Sequence, residues 1–205
     1  MNSKSLIVVL IFFSIFGNCD AEPSLSLYQE QMLKRQGRGA GMKKSTIQRA
    51  MIPTPSFSWD VEEDKPITRI EIRLSNQQIY LFQGEECTAK SDISTGKKGY
   101  DTKTGKFKIT SKDKDHKSSL YGTFVNGAGK VVNENAEVGD TPPAGCKYLP
   151  SPMPNFLRLI DDGTGMHAGF LPGFPASHGC IRLPEKFSEK LFEVAKVGTP
   201  VEIIP

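Results

Sequence analysis

Apolar and polar residues alternate along the first segment of the chain that has the pattern of a packed domain. Ile70, Ile72 and Leu74 alternate with charged residues, and this period of two predicts a half-buried β-strand. Ser75-Asn76 is a turn sequence, and a second strand is expected over 78–82. Together these segments predict a β-hairpin.

Similar short runs, separated by turns that contain glycine, predict further strands at 88–94, 106–110, 121–125, 156–160, 165–168 and 201–204. A helical pattern follows Pro184, which the first turn of a helix tolerates, and Gly198 is expected to end it. The helix is therefore predicted over 185–197. Residues 66–205 are predicted to form one mainly β domain with a single C-terminal helix.

The start of the chain has a different pattern. Residues 6–16 are almost all apolar and follow the single basic residue Lys4. This run is too short to span a bilayer, which needs about 20 residues, and is typical of a secretory signal peptide. We expect residues 1–21 to be removed after Cys19-Asp20-Ala21, which predicts export to the periplasm or cell envelope. A lipoprotein signal with Cys19 as a lipid anchor, and a buried core helix, are the alternative interpretations.

Residues 22–65 contain few apolar side chains. The stretch 31–49 is polar and basic, and Gly37, Gly39 and Gly41 are closely spaced within it. Such a composition cannot bury a core, so we predict a flexible basic tether.

The chain carries a formal net charge of +3. Removal of residues 1–21 takes away Lys4 and Asp20, one charge of each sign, so the net charge stays at +3. Mild basicity suits an anionic envelope, and the absence of a basic cluster with aromatic residues argues against nucleic acid as a partner.

Three cysteines remain after removal of the signal: Cys87, Cys146 and Cys180. An odd number in an oxidising compartment means that one thiol stays free or pairs between molecules. A Cys87–Cys146 disulfide would leave Cys180 free, and the sequence leaves that bond open.

Cys180 is our candidate nucleophile, because it follows Ser177-His178-Gly179 in a polar, proline-bracketed loop. Thiolate is the reactive form, and a neighbouring imidazole can take the proton and hold the resulting ion pair. His167 is the candidate general base. The alternatives are a buried structural cysteine, a structural histidine, and a metal site made by His167, His178 and Cys180.

Other residues of this loop have candidate roles in binding. Backbone N–H groups of Gly179 and Cys180 are predicted to stabilise an oxyanion, since glycine permits the sharp turn that aims them. His178 is expected to line the pocket, orient substrate or hold the loop. Arg182 is either a clamp for a substrate carboxylate or a solvated or ion-paired arginine.

This set of residues resembles the signature of the L,D-transpeptidases, the YkuD-type catalytic domain, in its envelope subgroup. The site segments that carry the resemblance are Met166-His167-Ala168-Gly169 and Pro175-Ala176-Ser177-His178-Gly179-Cys180-Ile181-Arg182. Upstream, 94–97, 101–107 and 116–122 are similar to further family segments. The resemblance covers roughly residues 67–205.

The resemblance implies a β-sandwich or open-barrel domain that acts on peptidoglycan stem peptides. It assigns Cys180 as nucleophile and His167 as general base and acid, with a backbone carbonyl near Ala168 or Gly169 orienting the imidazole. The backbone at 178–180 would hold the oxyanion, with Ser177 in the same loop. Arg182, Tyr121 and Gly169 would contact substrate. No metal or organic cofactor is implied, and carbapenem-type β-lactams are expected inhibitors.

An amine of a second stem peptide would resolve the thioester by cross-linking or anchoring. Hydrolysis by an L,D-carboxypeptidase is the alternative within the same fold. A non-catalytic wall-binding module is an alternative of another class, and the order of histidine before cysteine argues against a papain-like secreted protease.

Two features depart from the family pattern. Lys103 stands where proline is usual, which predicts a looser turn without an effect on the chemistry. The spacer between His167 and Ser177, nine residues long, is shorter than in the best-known members, which predicts a shorter loop over the site.

Overall fold

A computed structural model describes residues 54–205. The predictions for residues 1–53, including the signal peptide, Cys19 and most of the tether, lie outside the described residues. Within 54–205 the chain forms strands and one helix, α1, in the following order: β1 Phe57–Trp59, β2 Arg69–Arg73, β3 Gln78–Gln83, β4 Glu86–Asp92, β5 Gly105–Lys108, β6 Ser111–Asp113, β7 Lys117–Asn126, β8 Val131–Glu137, β9 Cys146–Pro152, β10 Phe156–Arg158, β11 Gly165–Ala168, β12 Ile181–Leu183, α1 Glu185–Val194 and β13 Pro200–Ile204. The fold is mainly β, as predicted.

The predicted hairpin is the centre of a six-stranded sheet. Its strand order is β1-β4-β3-β2-β13-β5. Ile70 lies opposite Leu81 and Ile72 opposite Ile79, so the apolar residues of both strands share one face. The last strand, β13, runs parallel to β2 and places Val201 beside Ile70. All five side chains are fully or almost fully buried.

A second sheet packs over the same core and has the order β12-β11-β10-β6. Strands β11 and β12 are parallel, and Met166 lies beside Ile181. Both side chains are fully buried in the core. Because successive side chains alternate across a strand, the residues on either side of these two face the opposite surface.

Helix α1 covers one side of this core. Phe187 is fully buried, and its ring contacts the ring of Trp59 edge-on at a centroid distance of 5.4 Å. The helix ends at Val194, earlier than predicted, because Ala195 is extended. Lys112 explains this end: its ammonium donates to the carbonyl of Phe192 and, at 2.7 Å, to that of Ala195. A cation there satisfies the last carbonyls of the helix.

Strand β1 corrects the end of the predicted tether. Phe57–Trp59 lies within the range 22–65 but pairs with β4 as the edge of the large sheet. Trp59 packs against the core. A three-residue strand has too few side chains to show a period, and the aromatic contact with α1 is what fixes it.

A third sheet, β8-β7-β9, was only partly predicted. The sequence indicated a strand at 121–125, whereas β7 extends over Lys117–Asn126 and pairs with two strands that were not expected. Most residues of β8 are exposed, so the strand carries little of the apolar alternation on which the prediction depended.

All three cysteines of the described part are free thiols. Cys87 lies on β4 of the six-stranded sheet, and Cys146 begins β9 of the three-stranded sheet. The Cys87–Cys146 disulfide that the sequence left open is not formed. Among residues 54–205, no helix has the length and apolar character needed to cross a membrane.

Candidate active site

Two neighbouring parallel strands bring the candidate nucleophile and base together. His167 on β11 lies opposite Arg182 on β12. Cys180 directly precedes β12 and is two residues from Arg182, so it is expected on the same face as Arg182 and His167. Met166 and Ile181 alternate with them and fill the core. The cysteine and histidine that the sequence singled out therefore share one surface of the second sheet.

The His167 imidazole is held in one orientation by the backbone. Nδ1 lies 2.7 Å from the carbonyl oxygen of Ala168, and only a protonated Nδ1 can donate to that acceptor. The lone pair is therefore on Nε2, which leaves Nε2 as the base. Burial lowers the pKa of His167 to about 4, so the ring is neutral near pH 7.

The Cys180 thiol lies between two backbone groups of the 159–164 loop and β11. Its sulfur donates to the carbonyl of Gly163 at 3.7 Å. Burial raises the pKa of the Cys180 thiol, and a hydrogen bond from the backbone of Gly165 offsets part of this rise. The resting pair is thus a neutral thiol with a neutral imidazole. A resting ion pair is disfavoured because both groups are buried.

Ser177 shapes the turn that presents the nucleophile. Its hydroxyl donates to the carbonyl of Cys180 at 2.5 Å and accepts the N–H of Gly179 at 3.1 Å. Gly179 has φ 113°, a conformation that other residues rarely adopt. This corrects one part of the oxyanion prediction, because the Gly179 N–H is already bonded inside the turn. The N–H groups of His178 and Cys180 are the other members of the predicted set.

The segment 94–97, similar to a family segment in the sequence, supports this turn from the outside. Ser94 pairs with Arg182, and Gly96 pairs with Ser177. The carbonyl of Thr95 accepts the N–H groups of Ala176 and Ser177 at 2.9 and 3.0 Å. The site loop is therefore attached to the large sheet through backbone hydrogen bonds.

Thr102 and Gly96 join the next segment to the same turn. The Thr102 hydroxyl accepts the N–H of Gly96 at 2.9 Å and donates to the carbonyl of Gly179 at 2.8 Å. A Cβ on Gly96 would lie 1.9 Å from the carbonyl oxygen of Tyr100, so only glycine fits. One buried hydroxyl thus bridges two loops.

Gln77 is a supporting residue that the sequence analysis missed. It has φ 52°, unusual for a residue with a side chain. Its side-chain amide donates to the Thr95 hydroxyl at 2.7 Å and accepts the Thr95 N–H at 2.9 Å. The position in the hairpin turn was predicted, but no sequence signal indicates this contact across 18 residues.

The His178 imidazole packs against two tyrosine rings. Tyr121 stacks on it at 4.4 Å, and Tyr100 contacts it edge-on at 4.6 Å. The ammonium of Lys97 lies 3.2 Å from Nε2. Burial lowers the pKa of His178, and the charge of Lys97 lowers it further. The predicted residue Tyr121 is therefore placed at the site, whereas Tyr100 and Lys97 are additions.

The side chain of Arg182 packs against Gly169. A Cβ on Gly169 would lie 2.9 Å from Cγ of Arg182, so the arginine side chain passes directly over the glycine. Gly169 therefore provides space for Arg182. Its predicted contact with substrate stays a prediction.

Lys103 forms an ion pair next to the loop that contacts Cys180, and the prediction that it does not affect the chemistry stays a prediction. Its ammonium lies 2.7 Å from a carboxylate oxygen of Asp162, next to Gly163. The Lys103 hydrogen bond lowers the pKa of Asp162 to about 2. The contact links residues 59 positions apart, so the local pattern could not indicate it.

His116 is the remaining histidine. Its ring stacks on Phe156 at 4.2 Å, and Nδ1 lies 3.0 Å from an Asp113 carboxylate oxygen. Within residues 54–205, no three His, Cys, Asp or Glu side chains are grouped as a metal ion would require. The alternative metal site of His167, His178 and Cys180 has no such geometry.

Comparison with known proteins identifies a matching family profile and several similar folds. The profile of the L,D-transpeptidase catalytic domain (YkuD) matches residues 67–203. The fold is similar to an L,D-transpeptidase from Xylanimonas cellulosilytica (TM-score 0.51, 18% identity, 70% of this chain and 63% of that chain covered). It is also similar to one from Mycobacterium smegmatis (TM-score 0.51, 16% identity, 67% and 58% covered).

A third similar structure is the Ldtfm–avibactam carbamoyl enzyme (TM-score 0.50, 22% identity, 71% of this chain and 50% of that chain covered). The chain thus spans about half to three fifths of the length of the solved structures it matches. No curated protein sequence matches it.

Proposed function

Because the chain belongs to the L,D-transpeptidase (YkuD) catalytic-domain family, we propose that it is an exported cysteine L,D-transpeptidase of peptidoglycan. The observation that carries the proposal is the hydrogen bond from His167 Nδ1 to the carbonyl of Ala168. This bond leaves Nε2 as a base on the surface that also carries Cys180.

Catalysis begins with transfer of the thiol proton. In the proposed first step the proton of Cys180 moves to Nε2 of His167 as the sulfur attacks the carbonyl carbon of the donor peptide. Since the resting thiol and imidazole are both neutral, proton transfer and attack are coupled. The Ala168 carbonyl stabilises the imidazolium that forms, so an acidic third residue is not required.

The tetrahedral intermediate carries its negative charge on the former carbonyl oxygen. The backbone N–H groups of His178 and Cys180 are the donors for this oxygen, at the turn that Ser177 and Gly179 shape. Collapse of the intermediate breaks the peptide bond. The imidazolium of His167 then gives its proton to the departing amine of the terminal D-amino acid, and a thioester remains on Cys180.

An amine of a second stem peptide then attacks the thioester. His167 takes a proton from that amine, the new amide bond forms, and the proton returns to the sulfur. Arg182, positioned over Gly169 beside the nucleophile, is the residue we assign to a substrate carboxylate.

The test is a product analysis with a disaccharide tetrapeptide from peptidoglycan. Both activities release the terminal D-amino acid, but transpeptidation gives cross-linked dimers, whereas an L,D-carboxypeptidase gives only the uncross-linked tripeptide beside it. The variant Cys180→Ala is the matched control and should form neither product. Wild-type protein that binds cell wall but yields no product would favour the non-catalytic module and refute the proposal.

Inhibition by β-lactams follows from the same thiol. We expect a carbapenem to add its mass to the wild-type chain at Cys180. Cys180→Ser should acquire no stable adduct, because a serine hydroxyl is harder to deprotonate than a thiol and is the poorer nucleophile.

Export rests on residues 1–21 and is proposed from the sequence. Expression with a C-terminal tag and mass analysis of the purified product tests it. A mature start at residue 22 supports cleavage by signal peptidase, and a lipid mass on Cys19 supports the lipoprotein alternative. An uncleaved chain would refute both.

A further inference from the structure

One ion pair joins the two loops beside the nucleophile. The ammonium of Lys103 lies 2.7 Å from one carboxylate oxygen of Asp162, and the N–H of Thr164 donates to the other at 2.9 Å. Gly163, between Asp162 and Thr164, accepts the thiol hydrogen of Cys180. Two donors, the Lys103 ammonium and the Thr164 N–H, therefore hold the Asp162 carboxylate. Asp162 is the residue before Gly163, whose carbonyl contacts the sulfur of Cys180.

Charged and titratable groups face the thiol from several elements. They are Arg182 on β12, Arg158 on β10, His167 on β11, His178 in the loop before Cys180, Tyr121 on β7, and Asp162 with its partner Lys103. Burial contributes most to the raised pKa of the Cys180 thiol, and the charge of Asp162 raises it further, whereas Arg182 and Arg158 lower it. In this set Asp162 supplies the charge that opposes a thiolate.

We propose that Lys103 is a positioning residue for the nucleophile that acts through Asp162. Its ammonium fixes the carboxylate and cancels much of the negative charge that a forming thiolate at Cys180 would otherwise meet. The proposal rests on the proposed function, in which Cys180 loses its proton during attack. This role would account for the lysine at position 103, where the family pattern has proline.

The magnitude is limited by solvent. The side chains of Lys103 and Asp162 are 64% and 40% exposed, so each charge acts on the thiol through a largely aqueous dielectric. A shift of about half a pH unit in the ionisation of the thiol is therefore expected when either charge is removed.

The decisive feature is the sign of the shift. Asp162→Asn removes the opposing charge, so the thiol should ionise at a pH about half a unit lower than in the wild type. Lys103→Met leaves the carboxylate uncompensated, so the thiol should ionise at a pH about half a unit higher. Lys103→Arg keeps the charge and should restore the wild-type midpoint.

The measurement is the pH dependence of alkylation by iodoacetamide. The thiolate sulfur bonds to the methylene carbon, iodide leaves, and the thiol proton goes to the buffer. Mass analysis of the peptide that contains Cys180 separates its adduct from those of the other cysteines. The full profile is needed because a thiolate of lower pKa is also a weaker nucleophile.

Matched controls lie close by in the chain. Asp161→Asn removes an equivalent charge from the neighbouring residue. Lys106→Met removes a lysine from another exposed pair, 3.8 Å from Glu202. Both variants should keep the wild-type midpoint.

Shifts of the same sign in Lys103→Met and Asp162→Asn, or no shift in either, would overturn the proposal. The alkylation profile can be measured separately from the proposed function, because alkylation needs no peptidoglycan. Opposite shifts in a chain that forms no cross-linked product would support the role of Lys103 and refute the transpeptidase activity. Product formation without these shifts would do the reverse.

Discussion

Thr102 tests how the loop that carries the nucleophile is held in place. Its buried hydroxyl accepts the N–H of Gly96 and donates to the carbonyl of Gly179, the residue before Cys180. Thr102→Val keeps the shape of the side chain and removes both hydrogen bonds. The perturbation is therefore confined to one oxygen atom.

The cost follows from the two groups that lose their partner. A buried backbone group left without a hydrogen bond costs about 1–3 kcal/mol. Two such groups would together cost about 2–6 kcal/mol, and because the hydrogen bond to the Gly96 N–H is only partly buried, we expect a loss in the lower part of this range, about 2–4 kcal/mol in the free energy of unfolding. For a domain of this size that corresponds to a fall of about 5–10 °C in the melting temperature.

Thermal unfolding followed by circular dichroism measures the loss, with Thr102→Ser as the matched control. Serine keeps the hydroxyl and loses a methyl group, so its cost should be only about 1 kcal/mol. Acylation by a carbapenem should slow by at least about tenfold in Thr102→Val, since a misplaced nucleophile loses its alignment. Equal melting temperatures for the valine and serine variants would refute the assignment of these bonds.

Three further predictions concern the base, the turn and the thiols. The acid limb of the pH profile for carbapenem acylation should have its midpoint near the lowered pKa of His167, about 4, and a midpoint near 6.5 would contradict the burial of the ring. The unfolded chain binds the same proton at higher pH, so the free energy of unfolding should also fall as the pH drops from about 6.5 towards 4. Folding is therefore monitored in parallel with acylation. Gly96→Ala should give unfolded or inactive protein, since its Cβ would meet the Tyr100 carbonyl at 1.9 Å, and a folded variant with wild-type acylation would disprove this contact. The double variant Cys87→Ser, Cys146→Ser should melt within about 2 °C of the wild type, whereas loss of a disulfide would cost about 2–5 kcal/mol.

The fold was predictable where a strand buries at least one of its faces. The hairpin of β2 and β3 and the strand β11 were found from alternation or from a short apolar run between glycines, and they occur at or near the expected positions. Helix α1 was predicted from its apolar spacing, but its end at Val194 depends on Lys112 from a distant strand. Strands β8 and β9 have mostly exposed or half-buried residues, so their pattern was too weak to detect.

The site was predictable only in its local part. His167, Ser177, His178, Gly179 and Cys180 are close in sequence, and their chemistry indicated a nucleophile with a base. The sequence could not show that the Gly179 N–H donates to the Ser177 hydroxyl. That N–H was also a candidate donor to the oxyanion, and the sequence does not tell the two roles apart.

The amino-acid sequence by itself determined the class of fold, and it predicted a reaction centre with Cys180 as nucleophile and His167 as base, since each depends on periodicity or on neighbouring residues. Tertiary structure alone decided the protonation state of the pair, because burial favours the neutral thiol and the neutral imidazole over the ion pair. It also decided which distant residues support the site. Gln77, Thr102 and Lys103 reach it through contacts between segments far apart in the chain, and such contacts arise only when the sheets pack.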